Sequence, residues 1–442
     1  MISMSKNLKW TICLGGLIAP WLLAPASLPA VAAGLTLDTV VTLPLLPNGN
    51  QAVLRAFDIS WVDPTLHTYA LAASGLFCTN TAGATACDAT AIGPASMPGV
   101  VTIDTQTKAA KLLAVGQFAG NCPAPPATAG LSGPNGLVII GKEIWVGDGP
   151  IYTKTCDSTS GLVHSSSVKV LDFAGTIKQT IYTGGKARAD ELCYNPFTNV
   201  VLMANDEPVD NFITFISTET YEVLGTIKFD GTDNKGNNIL ANGIEQCAFN
   251  PRDKKFYLNI PATVVGTPPN TSPGPGLVLR ISEQAPFHVE KVFTIDPVAT
   301  GCKGPQGLAV GPSNQMALGC GGPNSLIINS TDGTTAATVT GEGGTDEAWY
   351  NPTANQYYFA RSTAGVLGVE NAGPPATAAS TNNTTTAVGS HSVAADQTKD
   401  PHSKKSQVYV PIRTGVLSPT ATISASKGGN NTYGCVAVFD AP

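Results

Sequence analysis

The sequence predicts an all-β fold, a β-propeller closed into a ring by its own N-terminal strand. Three observations predict it. A short phrase headed by a polar residue recurs seven times along the chain. Each recurrence opens a series of four short apolar runs separated by Gly, Pro and Asn turns. The last recurrence ends one run short, and the N-terminal part of the chain holds a spare one. Four antiparallel strands repeated around a ring is the pattern of a propeller, and repeats of this period must be recognised before any element is assigned.

The heads come in order. Asp58 opens "DISWVDP", Asn135 opens "NGLVIIGKEIWVGDG" and Asp190 opens "DELCYNPFTNVVLMAND". Glu245 stands in "GIEQCAFNPRDKKFYLNIP", Gln306 opens "QGLAVGP", Asp346 opens "DEAWYNPTANQYYFARS" and His391 opens "HSVAADQ". Asp58, Asp190, Glu245, Gln306 and Asp346 each stand six residues before a proline: Pro64, Pro196, Pro251, Pro312 and Pro352. In the unit headed by Asp190 the strands read "LCYN", "VVLMA", "FITFIS" and "VLGTIKF". In the unit headed by Asn135 they read "LVII", "EIWV", "VKVLDF" and "TIKQTIY". Short β-branched and aromatic runs between turn residues are strands. Seven units predict a seven-bladed β-propeller; six blades is the alternative if the units at 346 and 391 are parsed differently. The final unit offers "QVYVPI" and "GCVAVFDA", and "GLTLDTVVTL" supplies its missing strand. Such a closure removes a free sheet edge. Residues 34–442 are thus expected to form a single propeller domain, with the segments 77–94, 121–133, 268–276 and 374–390 as loops on its faces.

Composition narrows the class. The chain has 442 residues, of which 43% are hydrophobic and 13% charged, with 46 glycines and 33 prolines. That supports a large core rich in turns and argues against long helices. The net charge is −6 and no Lys/Arg cluster occurs, which excludes nucleic acid as a partner. Residues 1–33 read as a signal peptide, with Lys6 and Lys9, an apolar stretch from Thr11 to Leu28, and small residues at Ala30–Ala33. A membrane anchor is the alternative there, and Pro20, Pro25 and Pro29 disfavour it. No later apolar run is long enough to span a bilayer. The expectation is a secreted or periplasmic protein, for which disulfides are the default. Cys302–Cys320 and Cys78–Cys87 are close in sequence and are expected to be bonded. Cys193 and Cys247 follow their heads by three and two residues. That one-residue offset is expected to send them to opposite strand faces and leave them unbonded to each other.

The chemistry should lie at the heads, because inner strands point their first residues at the axis. All seven are polar, and Asp58, Asp190, Glu245 and Asp346 are carboxylates. One reading is a wet channel lined by polar groups. The other is a site. The oxygen donors Asp58, Asn135, Asp190, Glu245 and Asp346 suit Ca2+ or another divalent metal, and His391 with two carboxylates suits zinc or iron. Glu245, Asp190 and His391 are the catalytic acid–base candidates. Strand alternation turns one member of each pair Asp190/Glu191 and Asp346/Glu347 to the axis and the other away. No Gly-x-Ser-x-Gly elbow and no Gly-x-x-x-x-Gly-Lys loop occurs.

The runs "NPFTNVVLMAND" and "NPRDKKFYLNIP" resemble the YVTN-type β-propeller repeat, and "PQGLAVGPSNQMALG" is similar to the NHL and gluconolactonase-type phrase. The resemblance covers nearly the whole chain after residue 33 and implies a propeller. Gluconolactonase-like propellers hold a divalent metal, usually calcium, with a Glu, two Asn and an Asp. Asn135 matches that pattern in type, while Glu245 and Gln306 stand where Asn and Asp would be expected. The resemblance implies a metal-dependent lactonase, ester hydrolase or lyase acting on a small molecule in the central channel. Its alternatives are a non-catalytic propeller that binds a ligand or a protein partner, and a subunit of a periplasmic redox complex.

Overall fold

A computed structural model describes residues 34–47, 49–79, 97–120, 131–154, 157–267, 270–373, 382–413 and 433–442. Among them lie seven four-stranded antiparallel sheets. In chain order, the first runs from Ser60–Asp63 to Ala110–Leu113 and the second from Leu137–Ile140 to Ile177–Tyr182. The third runs from Arg188–Asn195 to Val223–Lys228, and the fourth from Cys247–Asn250 to Val289–Ile295. The fifth runs from Pro305–Val310 to Thr335–Thr340, and the sixth from Thr345–Asn351 to Thr384–Thr385. The seventh contains Ala394–Asp396, Gln407–Ile412, Cys435–Asp440 and, as its outermost strand, Thr36–Thr42. The innermost strand of each sheet packs on that of the next, and the seventh packs back on the first. The sheets therefore close a ring, as blades of a β-propeller.

The core is divided in the same way. Seven hydrophobic clusters each fill the space between two neighbouring blades. Between the third and fourth blades, Phe215 and Phe256 are fully buried and Phe287 stacks on Phe215 at 3.8 Å. Both faces of every blade are covered, which explains near-continuous apolar strands such as "VVLMA".

The recurring proline phrase has a local cause. Asp63, Asn195, Asn250 and Asn351 each precede the proline, and each side-chain oxygen accepts a hydrogen bond from the backbone N–H two residues on, at 2.8–3.1 Å. Three residues after each proline, His67, Asn199, Lys254 and Asn355 adopt positive φ of 50–58°. An Asx turn followed by a left-handed residue reverses the chain into the second strand. Asn195, Asn250 and Asn351 are fully buried, so the turn is part of the packed edge.

The closure expected from the sequence is present. Thr36–Thr42 pairs antiparallel with Cys435–Asp440, from Thr36 opposite Asp440 to Thr42 opposite Cys435. Removing residues 34–43 is expected to leave the Cys435–Asp440 strand as a bare edge and to uncover the Val41 and Leu43 side of the core. Size-exclusion chromatography should then show aggregation. A monomer with unchanged melting would contradict the closing role.

Two disulfides lie among the described residues. Cys302–Cys320 is bonded as expected, and Cys193–Cys247 is bonded against expectation. The physical reason is the ring. Neighbouring blades face each other with opposite sheet faces, so a bridge between equivalent strands needs the opposite parity that the one-residue offset supplies. Cys435 is a buried free thiol. The Cys78–Cys87 expectation and the signal-peptide segment lie outside the described side chains. Among the described residues no helix is long and apolar enough to cross a membrane.

Candidate active site at the propeller axis

The heads occupy a special backbone position. At Asp190–Glu191, Gln306–Gly307 and Asp346–Glu347 the register of the inner strand shifts, so two residues oppose one on the second strand. Asp58–Ile59 share Ala72, Asn135–Gly136 share Gly147, and Glu245–Gln246 share Asn259 in the same way. A bulge of this kind breaks alternation. That is why Glu191 and Glu347 come within electrostatic reach of the heads as Asp190 and Asp346 do, contrary to the expectation that one member of each pair turns away.

The two members do different work. The second residue latches the next blade. Gln246 Oε1 accepts hydrogen bonds from Leu308 N and, across the fifth blade, Ala348 N. Glu347 Oε2 accepts from Val393 N at 2.9 Å and from the Ser392 hydroxyl, and Ser392 Oγ accepts from Ser60 N at 2.8 Å. Gly136 and Gly307 are glycines because the next strand passes too close. A Cβ at Gly136 would meet the Asp190 carbonyl oxygen at 2.0 Å, and one at Gly307 the Ala348 nitrogen at 2.6 Å. These contacts form the floor of the axis and are almost fully buried.

The first residues form a funnel above that floor. Asp58, Glu245, Gln306, Asp346 and His391 stay partly exposed, whereas Asp190 is 3% exposed and Asn135 is buried completely. Asn135 turns its amide to the Ser132 and Ala189 carbonyls at 2.9 and 3.0 Å, which makes it a strap between blades. Gln306 donates to Asp346 Oδ1 at 3.1 Å.

Arg188 organises the funnel. Its guanidinium lies 3.0 Å from Asp190, 3.4 Å from Asp206 and 3.9 Å from Asp58. His391 lies 3.7 Å from the other oxygen of Asp58, stacks on Phe57, and approaches the Gly389 carbonyl with Nδ1 at 3.0 Å. Burial opposes the charged imidazole, but the Asp58 and Asp346 carboxylates outweigh it and raise its pKa to about 9. Arg188 is likewise held firmly charged by Asp190, Asp206 and Asp58.

The carboxyls respond in the opposite sense. Burial raises Asp190 well above the ordinary range against the pull of Arg188, and the Asp58, Asp206 and Asp346 carboxylates add to the rise. Glu245 is raised well above it too, first by burial and then by Asp346 and Asp190. Asp346 is raised by burial against the pull of His391. Beneath them, Glu191 and Glu347 are raised well above it, again chiefly by burial. Glu245 accepts no hydrogen bond from any other described residue. The funnel therefore combines two fixed cations with carboxyls whose pKa is raised, chiefly by burial.

The calcium expectation does not suit these donors. Among the described residues no three His, Cys, Asp or Glu gather to hold a metal. Asn135 is committed to backbone carbonyls, and Arg188 stands among Asp58, Asp190 and Asp206. Sequence reasoning missed Arg188 and Asp206. The signal was in "KARADEL", where Arg188 precedes Asp190 by two residues and so shares its side of the strand. Asp206 pairs directly with Arg188 in the ladder. Beside the funnel a cavity of about 840 Å³ opens against Lys186 and Glu207. Glu207 accepts from Lys186 N and Ala187 N at 2.7 and 3.1 Å, fixing the backbone that leads into Arg188.

No protein-family model matches the chain, and no curated protein matches it. Solved structures of the β-propeller type do. A chain of the mitotic checkpoint complex aligns with a TM-score of 0.51 at 12% identity, covering 96% of this chain and 98% of that one. The U3-55K structure aligns with a TM-score of 0.50 at 12% identity, covering 88% and 97%. A hydrazine synthase chain of Kuenenia stuttgartiensis aligns with a TM-score of 0.48 at 14% identity, covering 72% and 96%. At these identities the likeness is one of fold alone: the chain is built as a β-propeller.

Proposed function

We propose that the axial funnel binds a small polar molecule and acts on it by general acid–base chemistry, as a lactone or ester hydrolase or a lyase, in an exported protein. The observation that carries this reading is Glu245, a partly exposed carboxyl with a raised pKa and no hydrogen-bond partner among the described residues, in a funnel with two groups fixed as cations. A carboxylic acid kept neutral near neutrality can donate a proton, and a partner carboxylate can take one. In hydrolysis, water would add to the substrate carbonyl and give its proton to the ionised member of the Asp190–Glu245 pair. The leaving alkoxide would take the proton of the other member. Arg188 and His391 would stabilise the developing oxyanion. Each step uses residues of this chain. The two disulfides support export.

The test is a panel of small lactones and esters followed by pH-stat. Wild type is expected to turn over at least one of them, and Glu245→Gln to lose about 10²–10⁴-fold in kcat with little change in Tm. Full activity in Glu245→Gln, or no turnover of any compound by wild type, sinks the reading.

A further inference from the structure

We propose that the Cys193–Cys247 disulfide is a positioning device for the axial acid pair, holding the strand that carries Asp190 against the strand that carries Glu245. The bond joins the innermost strand of the third blade to that of the fourth, with a Cα–Cα distance of 5.7 Å. It is three residues from Asp190 and two from Glu245. The other described disulfide has a different reach. Cys320 ends the second strand of the fifth blade opposite Pro305, and Cys302 lies just before that blade's first strand, so the bond ties one blade to its own lead-in. Among the described residues, the third and fourth blades are thus the covalently joined pair, and they bear Asp190 and Glu245, both raised well above the ordinary carboxylate range.

The spacing of the two strands is otherwise set by apolar packing, in which both cysteines take part at 3% and 6% exposure. Noncovalent ties between these two blades are few: Ile244 N donates to Asp206 Oδ1 at 3.4 Å, and Asn195 and Thr198 donate to the Glu283 carbonyl at 3.4 and 3.2 Å. The Gln246 side chain reaches forward to the fifth and sixth blades, and Glu347 reaches to the seventh. The third blade sends Arg188 to Asp190, Asp206 and Asp58, and to no atom of the fourth blade within ion-pair distance. The disulfide is the covalent tie between the two strands and lies two and three residues from the acids, whereas the Ile244–Asp206 hydrogen bond beside them is long at 3.4 Å. Bringing two carboxyls together out of water holds a proton on the pair, and letting the strands part admits water and weakens the repulsion. The inference concerns the geometry of the pair and applies to a binding site and a catalytic one alike.

Carboxyl ¹³C NMR titration of Glu245, assigned by its disappearance in Glu245→Gln, reads this geometry without any ligand. In the double variant Cys193→Ala/Cys247→Ala the Glu245 midpoint is expected to fall toward the ordinary carboxylate value by about one pH unit or more. The control Cys302→Ala/Cys320→Ala is expected to lower Tm while leaving that midpoint in place. If the alanine pair does not fold, Cys193→Val/Cys247→Ala refills the space of the sulfurs and takes the same measurement. A Glu245 midpoint within a few tenths of wild type in the folded variant lacking the bond overturns the proposal, since packing alone would then set the pair.

Discussion

Replacing Arg188 by methionine is expected to be the most damaging single substitution at the axis, and its cost should grow with pH. Methionine keeps most of the side-chain volume and removes the charge. Asp58, Asp190 and Asp206 then face one another with no cation among them. Removing one partner of a largely buried ion cluster costs about 3–5 kcal/mol. The sign with pH follows from the direction of the carboxyl shifts. Without Arg188, Asp190, already raised by burial, titrates still higher in the folded state than in the unfolded chain. Its contribution is fullest at low pH, where both states are protonated, and is lost as pH rises toward the folded value. Urea denaturation should show a large deficit at pH 8 and a smaller one at pH 5. Arg188→Lys should recover part of the deficit, because it restores the charge without the fork that reaches three carboxylates. A small deficit equal at both pH values would show that the guanidinium is merely solvated.

Glu347→Gln is expected to do the reverse and stabilise the protein in alkali. Glu347 is 1% exposed, its Oε1 has no hydrogen-bond partner among the described residues, and its pKa is raised well above the ordinary 4.5, chiefly by burial. The folded state therefore prefers the protonated acid. The stability this confers is complete below the unfolded value and fades as pH rises toward the folded one. His391 acts in the same direction: its raised pKa stabilises the fold below 6.5, and that contribution is lost as pH climbs to about 9. Glutamine keeps a carbonyl oxygen for Ser392 and Val393 and has no charge to bury. Calorimetry should find the variant close to wild type at pH 5 and more stable by roughly 1–3 kcal/mol at pH 9. An unaltered pH slope would mean that Glu347 is ionised in the native state.

The repeat made most of the fold legible. The five heads read from their distance to a proline turn each land at or just before the innermost strand of a blade, and the strand missing from the last unit is the one at Thr36–Thr42. The proline phrase was legible because its turn is local, made by an Asx residue and a left-handed one within five positions. What depends on neighbouring blades was harder to see. Plain alternation hid the central role of Glu191, Gln246 and Glu347, since a bulge breaks the alternation of successive side chains. The parity argument for Cys193 and Cys247 failed because it treated two blades as one sheet. Arg188 escaped because it lies before the head of its phrase, and its partners Asp58 and Asp206 come from another blade and another strand. The same residue is what separates this funnel from a metal site of the expected kind.

The central claim is that chemistry takes place in the funnel around Arg188, Glu245 and His391. Side-chain ¹⁵N NMR of arginine tests it most directly, with the Arg188 Nε–H signal assigned by its loss in Arg188→Lys. Adding the lactone and ester compounds that are turned over should shift that signal in wild type, and Glu245→Gln should weaken the shift. Turnover or tight binding that leaves the Arg188 signal unmoved, while resonances of the face loops shift, would contradict the account.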